Sequence, residues 1–135
     1  MRQHIGGNSP WEARAGYARA VRVGGRVVVA GTTATGPDGQ LVGGADPYRQ
    51  ALQALDNIAD ALAAAGATLG DVVRTRIYVT RRADADPVLR AHRERLGGAR
   101  PAATLVVVAG LIDPHMLVEI EAEAIVAAPD AGPAP

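Results

Sequence analysis

Residues 117–126 constrain the fold most strongly, because apolar and acidic side chains alternate there. Apolar residues occupy the even positions and glutamates the odd ones: Val118, Glu119, Ile120, Glu121, Ala122, Glu123 and Ala124. Side chains of a β-strand point alternately to the two faces of its sheet, so this pattern predicts one apolar face and one acidic face. Like charges this close repel, so the acidic face needs water, cations or a ligand beside it. A second β-rich run at 103–109 predicts a strand–loop–strand unit in which the first strand stands opposite the glutamates.

Hydrophobic patterns elsewhere in the 135-residue chain predict three more strands and two helices. The strands are predicted at 17–23, 26–32 and 71–80, and the helices at 46–66 and 84–96. The continuously apolar run Val27–Ala30 is typical of a central strand that is buried on both faces. The order β-β-α-β-α-β-β predicts an α+β fold, a mixed sheet with two helices on one face.

Both predicted helices have an apolar side that can pack on the sheet. Asp46 is placed to cap the first helix, Pro47 suits its first turn, and Gly66 can end it with positive φ. Its apolar stripe consists of Tyr48, Leu52, Leu55, Ala59 and Leu62. In the second helix the inward positions are Val88, Leu89, His92 and Leu96. We interpret His92 as a core histidine with a hydrogen-bond partner.

The strand predicted at 71–80 divides its side chains between two faces. Val73, Thr75, Ile77 and Val79 share one face, and Arg74, Arg76 and Tyr78 share the other. We expect Arg74 and Arg76 to pair with Glu121 and Glu123. Because the helices do not cover this charged face, we expect it to form an oligomer interface or to line a solvent-filled channel.

Residues 1–126 are predicted to form a single domain. Residues 1–16 are expected to be irregular, with Trp11 anchoring this segment on the core or on a neighbouring subunit. The Pro- and Ala-rich residues 127–135 are predicted to be a disordered tail. The chain has no apolar run of about 18 residues and no signal-peptide core, so we expect a cytoplasmic protein without membrane association.

Missing residue types exclude several kinds of chemistry. Without Cys or Lys the chain has no thiolate nucleophile, no zinc–thiolate site and no amine for a Schiff base, and no cofactor is predicted. Its single serine, Ser9, lies outside any serine hydrolase motif. The three histidines lack partner ligands at helical spacing, so no metal site is predicted. A net charge of zero and few aromatic residues argue against nucleic acid as a partner.

Several ordered segments of the chain resemble the Rid family, the reactive intermediate deaminases, also called the YjgF-like or L-PSP endoribonuclease family. They are AGYARAV, VVVAGTTA, the helix start at Asp46-Pro47, AAGATLGDVVRTRIYVT, and RPAATLVVV with LVEIEAEAI. The resemblance covers residues 15–126. It implies a chorismate-mutase-like fold, a homotrimer, and ligand clefts between subunits. Archetypal members hydrolyse enamines and imines, released by pyridoxal-phosphate enzymes, to keto acids and ammonia.

The resemblance also implies where a ligand binds. The family's pocket tyrosine corresponds to Tyr17, and its glycine at the end of the second strand corresponds to Gly31. The first glutamate of its Ile-Glu-Ile-Glu motif corresponds to Glu119. The implied ligand-binding positions are Tyr17, Gly31, Thr32, Ala103 and Leu105, with Glu119 as the catalytic residue.

Ala103 departs from the family's pattern, because the motif Pro-Ala-Arg-Ser reads Pro-Ala-Ala-Thr here. In the family, the arginine holds the substrate carboxylate through two charge-assisted hydrogen bonds, each of which contributes about 1.5–3 kcal/mol. Alanine makes neither bond, so archetypal 2-imino acid deaminase activity is not expected. Arg100 is an alternative source of the guanidinium, but its position before a proline at the strand entry favours a structural role.

Two functions of different classes remain open. In the first, the protein is an enzyme that adds water to a small unsaturated substrate or tautomerises it. Glu119 is then the acid/base, with a pKa raised by Glu121 and by partial burial, and Tyr17 orients the substrate. In the second, a non-catalytic trimer binds a small metabolite or a partner, and Glu119 only pairs with an arginine. His115, beside Asp113, either rims the cleft or is an exposed loop residue. Ribonuclease activity, which the family name suggests, has no histidine pair, lysine or basic groove to support it.

Overall fold

In the computed structural model, the chain forms one six-stranded sheet with helices packed on one face. The structure describes residues 2–7 and 9–127. The strands are β1 (Arg2–Ile5), β2 (Ala20–Val23), β3 (Arg26–Thr32), β4 (Val72–Val79), β5 (Ala102–Val107) and β6 (Val118–Ile125). The helices are α1 (Trp11–Ala15), α2 (Pro47–Ala64) and α3 (Ala85–Leu96). All five predicted strands and both predicted helices are therefore present, and their bounds differ from the predicted ones by no more than three residues.

The sheet has the strand order β1-β2-β3-β6-β4-β5, so β6 lies between two long strands. Only β4 and β5 run parallel, which makes the sheet mixed as predicted. The predicted strand–loop–strand unit is wrong in one respect: β4 separates β5 from β6, because α3 makes the crossover that parallel neighbours require. Tyr78, and not Ala103, therefore stands opposite Glu119.

The core lies between the sheet and the two long helices. As predicted, the apolar face of β6 is buried, with Val118, Ile120 and Ala124 fully inaccessible to solvent. Large aliphatic side chains of α2, α3 and β4 fill the space above them, among them Leu55, Ile58, Leu62, Ile77 and Leu96. Each such burial contributes about 1.5–3 kcal/mol, so this layer holds the helices on the sheet.

Helix α2 begins as predicted but packs along a different line. The Asp46 carboxylate accepts hydrogen bonds from the backbone N–H groups of Tyr48 and Arg49, at 3.0 and 3.3 Å. Its buried positions are Gln50, Ala51, Ala54, Leu55, Ile58, Ala61 and Leu62. The predicted stripe is thus rotated, because small alanines let the helix backbone approach the sheet closely, while Tyr48 and Leu52 pack at the margin of the core.

Three apolar positions that were predicted to be buried are exposed. Val73 is 43% exposed, because a β-bulge at the start of β4 shifts the alternation. Leu89 is 41% exposed, and Ala91 occupies the buried position on α3 instead. Val28 is exposed on the face of β3 that no helix covers, so this strand is not buried on both faces in the described chain.

His92 fulfils the structural role predicted for it. Its ring nitrogen Nε2 lies 2.8 Å from the hydroxyl oxygen of Thr75, a fully buried residue of β4. Burial lowers the pKa of His92 below its ordinary value of 6.5. The ring is therefore held neutral, as part of the packing between α3 and the sheet.

Much of the described part of residues 2–16 is regular, which corrects the prediction of an irregular segment at 1–16. Strand β1 pairs with the edge of β2, with Ile5 opposite Ala20. Helix α1 follows and ends at Gly16, whose φ is 76°. We call the described residues 2–16 the N-terminal arm. At the other end, the predicted tail lies outside the described residues from residue 128 onward, and no described helix is long and apolar enough to span a membrane.

Candidate functional site

A cleft of about 370 Å³ opens where the N-terminal arm meets β3 and β6. Its lining includes Tyr17, Arg19, Gly31, Thr32, Asn57 and Glu119. Clefts of this size accommodate small metabolites. The cleft therefore has the dimensions of a ligand site, and its lining mixes apolar, polar and charged groups.

Four of the six predicted site residues meet in this cleft, namely Tyr17, Gly31, Thr32 and Glu119. The other two, Ala103 and Leu105, lie on β5 at the far edge of the sheet, and β4 separates them from β6. Within one chain, the cleft thus contains the implied catalytic glutamate, the tyrosine and the glycine, but it does not contain the two implied positions on β5.

Gly31 makes room for the carboxylate of Glu119. The pairing of β3 with β6 shifts register between Val29 and Thr32, and Gly31 lies within this irregularity. A Cβ atom built on Gly31 would overlap the Glu119 carboxylate and lie 3.0 Å from its Cδ. The absence of a side chain at Gly31 therefore lets Glu119 rest against the backbone of β3.

The Glu119 carboxyl group titrates abnormally because of where it lies. Burial raises its pKa above the ordinary 4.5, the positive charge of Arg19 opposes this rise, and Glu121 adds to it. The direction agrees with the prediction, but burial is the larger cause. A carboxyl group whose pKa is raised toward neutrality is suited to taking up and returning a proton.

The other two glutamates of β6 are engaged with neighbouring strands. Glu121 accepts a hydrogen bond from the Tyr78 hydroxyl, and its carboxylate lies 3.8 Å from the Arg76 guanidinium. Glu123 lies 3.0 Å from Arg26 and 3.8 Å from Arg76. The predicted pairing of Arg76 with both glutamates is therefore confirmed.

The predicted pairing of Arg74 is not observed among the described residues. Arg74 lies opposite Glu123 in the register of β4 and β6. The side chain that reaches Glu123 most closely is instead Arg26 of β3. Because β6 is the middle strand of this group, its glutamates draw partners from both sides, which the sequence pattern of β4 alone does not reveal.

Arg19 is a residue of the cleft that sequence reasoning missed. Its Nη1 donates a hydrogen bond to the Thr32 hydroxyl at 3.3 Å, and its Nε lies 3.9 Å from the Glu12 carboxylate. The guanidinium lies 5.7 Å from the centre of the Tyr17 ring. The available signal was the spacing of two between Tyr17 and Arg19, which places both side chains on the same side of an extended segment.

Asn57 of α2 fixes the opposite wall of the cleft. Its side-chain amide donates hydrogen bonds to the backbone carbonyl groups of Thr33 and Thr35, at 3.1 and 2.7 Å. Gln53 in turn donates to the Asn57 side-chain oxygen at 2.9 Å. The loop after β3 is therefore held on α2, and this wall of the cleft is fixed.

A neighbouring cavity of about 850 Å³ shares part of its lining with the cleft, including Trp11, Ile112 and Met116. His115 and Asp113 line this second cavity, and the His115 side chain is 85% exposed. His115 is therefore an exposed loop residue at the mouth of the cavity. The described residues hold no group of three or more side chains that could bind a metal ion.

Comparison with known proteins identifies the family. The family model described as Endoribonuclease L-PSP matches residues 7–126. This chain belongs to that family. The chain is 44% identical over 122 residues to protein SCO2049 of Streptomyces coelicolor, a match that covers 90% of each chain.

Solved structures agree with this assignment. Rv2704 of Mycobacterium tuberculosis, a member of the YjgF/YER057c/UK114 family, is 46% identical, with a TM-score of 0.84 over 93% of this chain and 100% of the other. YyfA of Yersinia pestis, from the Rid protein family, is 32% identical, with a TM-score of 0.83 over the same shares. The predicted Rid family and α+β fold are therefore confirmed.

Proposed function

We propose that this protein binds a small metabolite in the cleft and hydrolyses an enamine, an imine or a related small unsaturated compound. The observation that best supports this proposal is the half-buried Glu119, whose pKa is raised, on a wall shared with Tyr17 and Gly31. The family resemblance implies the same class of reaction. We expect the protein to act in the cytoplasm and without a cofactor.

In the proposed reaction Glu119 first acts as a base. It takes a proton from water as the water oxygen bonds to the carbon of the C=N group, and it returns that proton to the nitrogen, which gives a carbinolamine. Glu119 then takes the proton of the new hydroxyl group and passes it to the nitrogen as the C–N bond breaks, which releases ammonia and leaves a carbonyl group. Tyr17 orients the substrate through its hydroxyl group. The raised pKa of Glu119 suits one carboxyl group to both taking up and returning a proton.

We expect weak activity on the substrates of archetypal family members, because Ala103 provides no guanidinium for their carboxylate. Ammonia release from enzymatically generated 2-aminoacrylate tests this directly. A slow rate relative to an archetypal deaminase agrees with our interpretation of Ala103. A rate as fast as that of an archetypal enzyme contradicts it.

We further propose that the cleft is completed in a homotrimer. The sheet face opposite the helices exposes Val23, Val28 and Val106, which supports an interface there. In such an assembly, β5 of one chain would border the cleft of a neighbour and bring Ala103 and Leu105 to it. Sedimentation velocity of the purified protein measures this directly, and a monomer at micromolar concentration would rule it out.

A second candidate is a trimer that binds a metabolite without converting it, which the alanine at position 103 favours. A thermal-shift screen against a metabolite pool, repeated with Glu119→Gln and Tyr17→Phe, distinguishes the two candidates. For an enzyme, Glu119→Gln retains binding of the best compound while its turnover is lost. If the wild-type protein binds a compound and never converts it, the non-catalytic function holds.

A further inference from the structure

We propose that Arg19 is the anion-binding residue of the cleft, and that the ligand carries a carboxylate or a comparable anionic group. This inference rests on the proposed function and specifies its class of substrate. It places the anionic group on the wall next to the N-terminal arm. The family resemblance places that group on β5, where this chain has Ala103.

The backbone holds Arg19 in a fixed position at the cleft. Its N–H donates to the Ile5 carbonyl at 2.8 Å, and its carbonyl accepts from the Ala30 N–H at 2.9 Å. The residue thus links the arm to the end of β3. Its side chain lines the cleft and is only 12% exposed. A guanidinium in such a position is partly removed from water, and its interaction with an anion is stronger there than in bulk water.

The guanidinium has unused hydrogen-bond donors. Arginine offers five N–H donors, and within the described residues the one hydrogen bond of this side chain goes to the Thr32 hydroxyl. Its Nε and Nη2 atoms are buried without a hydrogen-bond partner in that part of the chain. Unsatisfied charged donors are costly to bury, and a carboxylate matches the Nε–Nη2 edge with two parallel hydrogen bonds.

Glu12 balances the charge of Arg19 without satisfying its donors. The separation of 3.9 Å between Arg19 Nε and Glu12 Oε2 is too long for a hydrogen bond. The other carboxylate oxygen accepts from the Gly7 N–H at 3.0 Å, while Oε2 is itself buried without a partner in the described chain. An anionic ligand therefore competes with Glu12 for the guanidinium, and it offers hydrogen bonds that Glu12 does not make.

Gly7 brings the arm into contact with this pair. A Cβ atom at Gly7 would come within 2.8 Å of Glu12 Oε2 and 3.1 Å of Arg19 Cδ. Two carboxyl groups line the cleft: Asp60, which is exposed to water, and Glu119, whose pKa is raised. Arg19 is the one cationic side chain in the described lining of the cleft.

Binding of pyruvate and of its neutral analogue pyruvamide, measured by titration calorimetry, tests the inference. We expect the wild-type protein to prefer pyruvate by about tenfold or more. Arg19→Gln should remove the preference, and Arg19→Lys should retain part of it. Glu12→Gln should tighten pyruvate binding relative to pyruvamide, because the competing carboxylate is gone. Arg93→Gln, on the exposed side of α3, is the matched control and should change nothing.

Three results would overturn the anion site. They are equal affinities of the wild-type protein for both probes, a preference that survives in Arg19→Gln, and no binding of pyruvate at millimolar concentration. If Arg19→Gln does not fold, a Glu12→Gln variant that fails to favour pyruvate overturns the inference equally. Binding of neutral compounds in the metabolite screen would leave the proposed function standing in each case, so the two failures are distinguishable.

Discussion

The acidic face of β6 differs between its two ends. Near the C-terminal end of the strand, Glu123 lies 3.0 Å from Arg26 and 3.8 Å from Arg76, so it belongs to a network of charged side chains. At the beginning, Glu119 lies against Gly31 in a partly buried cleft, and its pKa is raised. The same residue type on the same face of one strand thus serves two purposes, and the neighbouring strands decide which.

Replacing one glutamate at each end of β6 should separate these purposes most clearly. We expect Glu119→Gln to lower the turnover of the best imine or enamine substrate about 10²–10⁴-fold, because the acid/base group is lost. Glu123→Gln should retain most of the turnover. Steady-state ammonia release measures both rates. Equal losses in the two variants would mean that Glu119 has no special role.

The apolar face of the same strand should respond through stability. Ile120 is fully buried between the sheet and α2, and we expect Ile120→Ala to lower the free energy of unfolding by about 2–5 kcal/mol. Urea unfolding, followed by the fluorescence of Trp11 and by circular dichroism, measures the change. Glu121→Gln on the opposite face should change it by less than about 1 kcal/mol. A smaller loss for Ile120→Ala than for Glu121→Gln would contradict this division.

Gly31→Ala tests whether the position of the Glu119 carboxylate matters. The added methyl group would push the carboxylate away, and a displacement of this size lowers turnover about 10²-fold. Stability should change little, because the displaced group is the end of a flexible side chain. Gly98→Ala, where a Cβ meets no atom within 4 Å, is the matched control. Unchanged turnover in Gly31→Ala would show that Glu119 acts from another position or not at all.

The arginines of β4 should matter mainly for assembly. Among the described residues, Arg76 pairs with both Glu121 and Glu123, whereas Arg74 pairs with neither, so Arg76→Gln should loosen the proposed trimer more than Arg74→Gln in sedimentation. Partly exposed pairs of this kind contribute only about 0–1 kcal/mol each. If a variant that carries both Arg74→Gln and Arg76→Gln keeps its oligomeric state and its melting temperature, these arginines do not hold the assembly.

The smallest expected effect is a change in the pH profile. Glu121 raises the pKa of Glu119, so Glu121→Gln should lower it. If turnover requires ionised Glu119, the acid limb of the kcat/KM profile should move to lower pH in this variant, since Glu119 then loses its proton more readily. Arg19→Gln should move the limb the other way, because the Arg19 charge lowers this pKa. Shifts in the opposite directions would mean that another group titrates.

The alternation in β6 was predictable because it depends only on the period of a strand. The two long helices were predictable in a similar way, because apolar side chains recur there at the period of a helix. The N-terminal arm was not, because β1 has four residues and is held by backbone hydrogen bonds to β2, which leave no pattern of apolar side chains. The interposed β4 was also missed, because chain order does not determine which strands become neighbours.

Gln50 shows a further limit of sequence patterns. It is 1% exposed, and its side chain bonds to the carbonyl groups of Gly44 and His115 and to the N–H of Leu117, at 2.7, 2.9 and 3.0 Å. All three partners are backbone groups in two loops, one of them distant in sequence, so their side chains do not indicate the contact. Arg19 was missed similarly, because its neighbours Glu12 and Thr32 meet it only in the folded chain.

The walls of the cleft come from distant parts of the chain, since Arg19 and Glu119 are about 100 residues apart in sequence. Closing so long a loop is slow and entropically costly, so we expect the cleft to be among the last parts of the molecule to form during folding. During synthesis, β1, β2 and β3 leave the ribosome well before β6. The inner edge of β3 therefore stays unpaired until the chain is nearly complete, and in that interval it is open to association with other nascent chains.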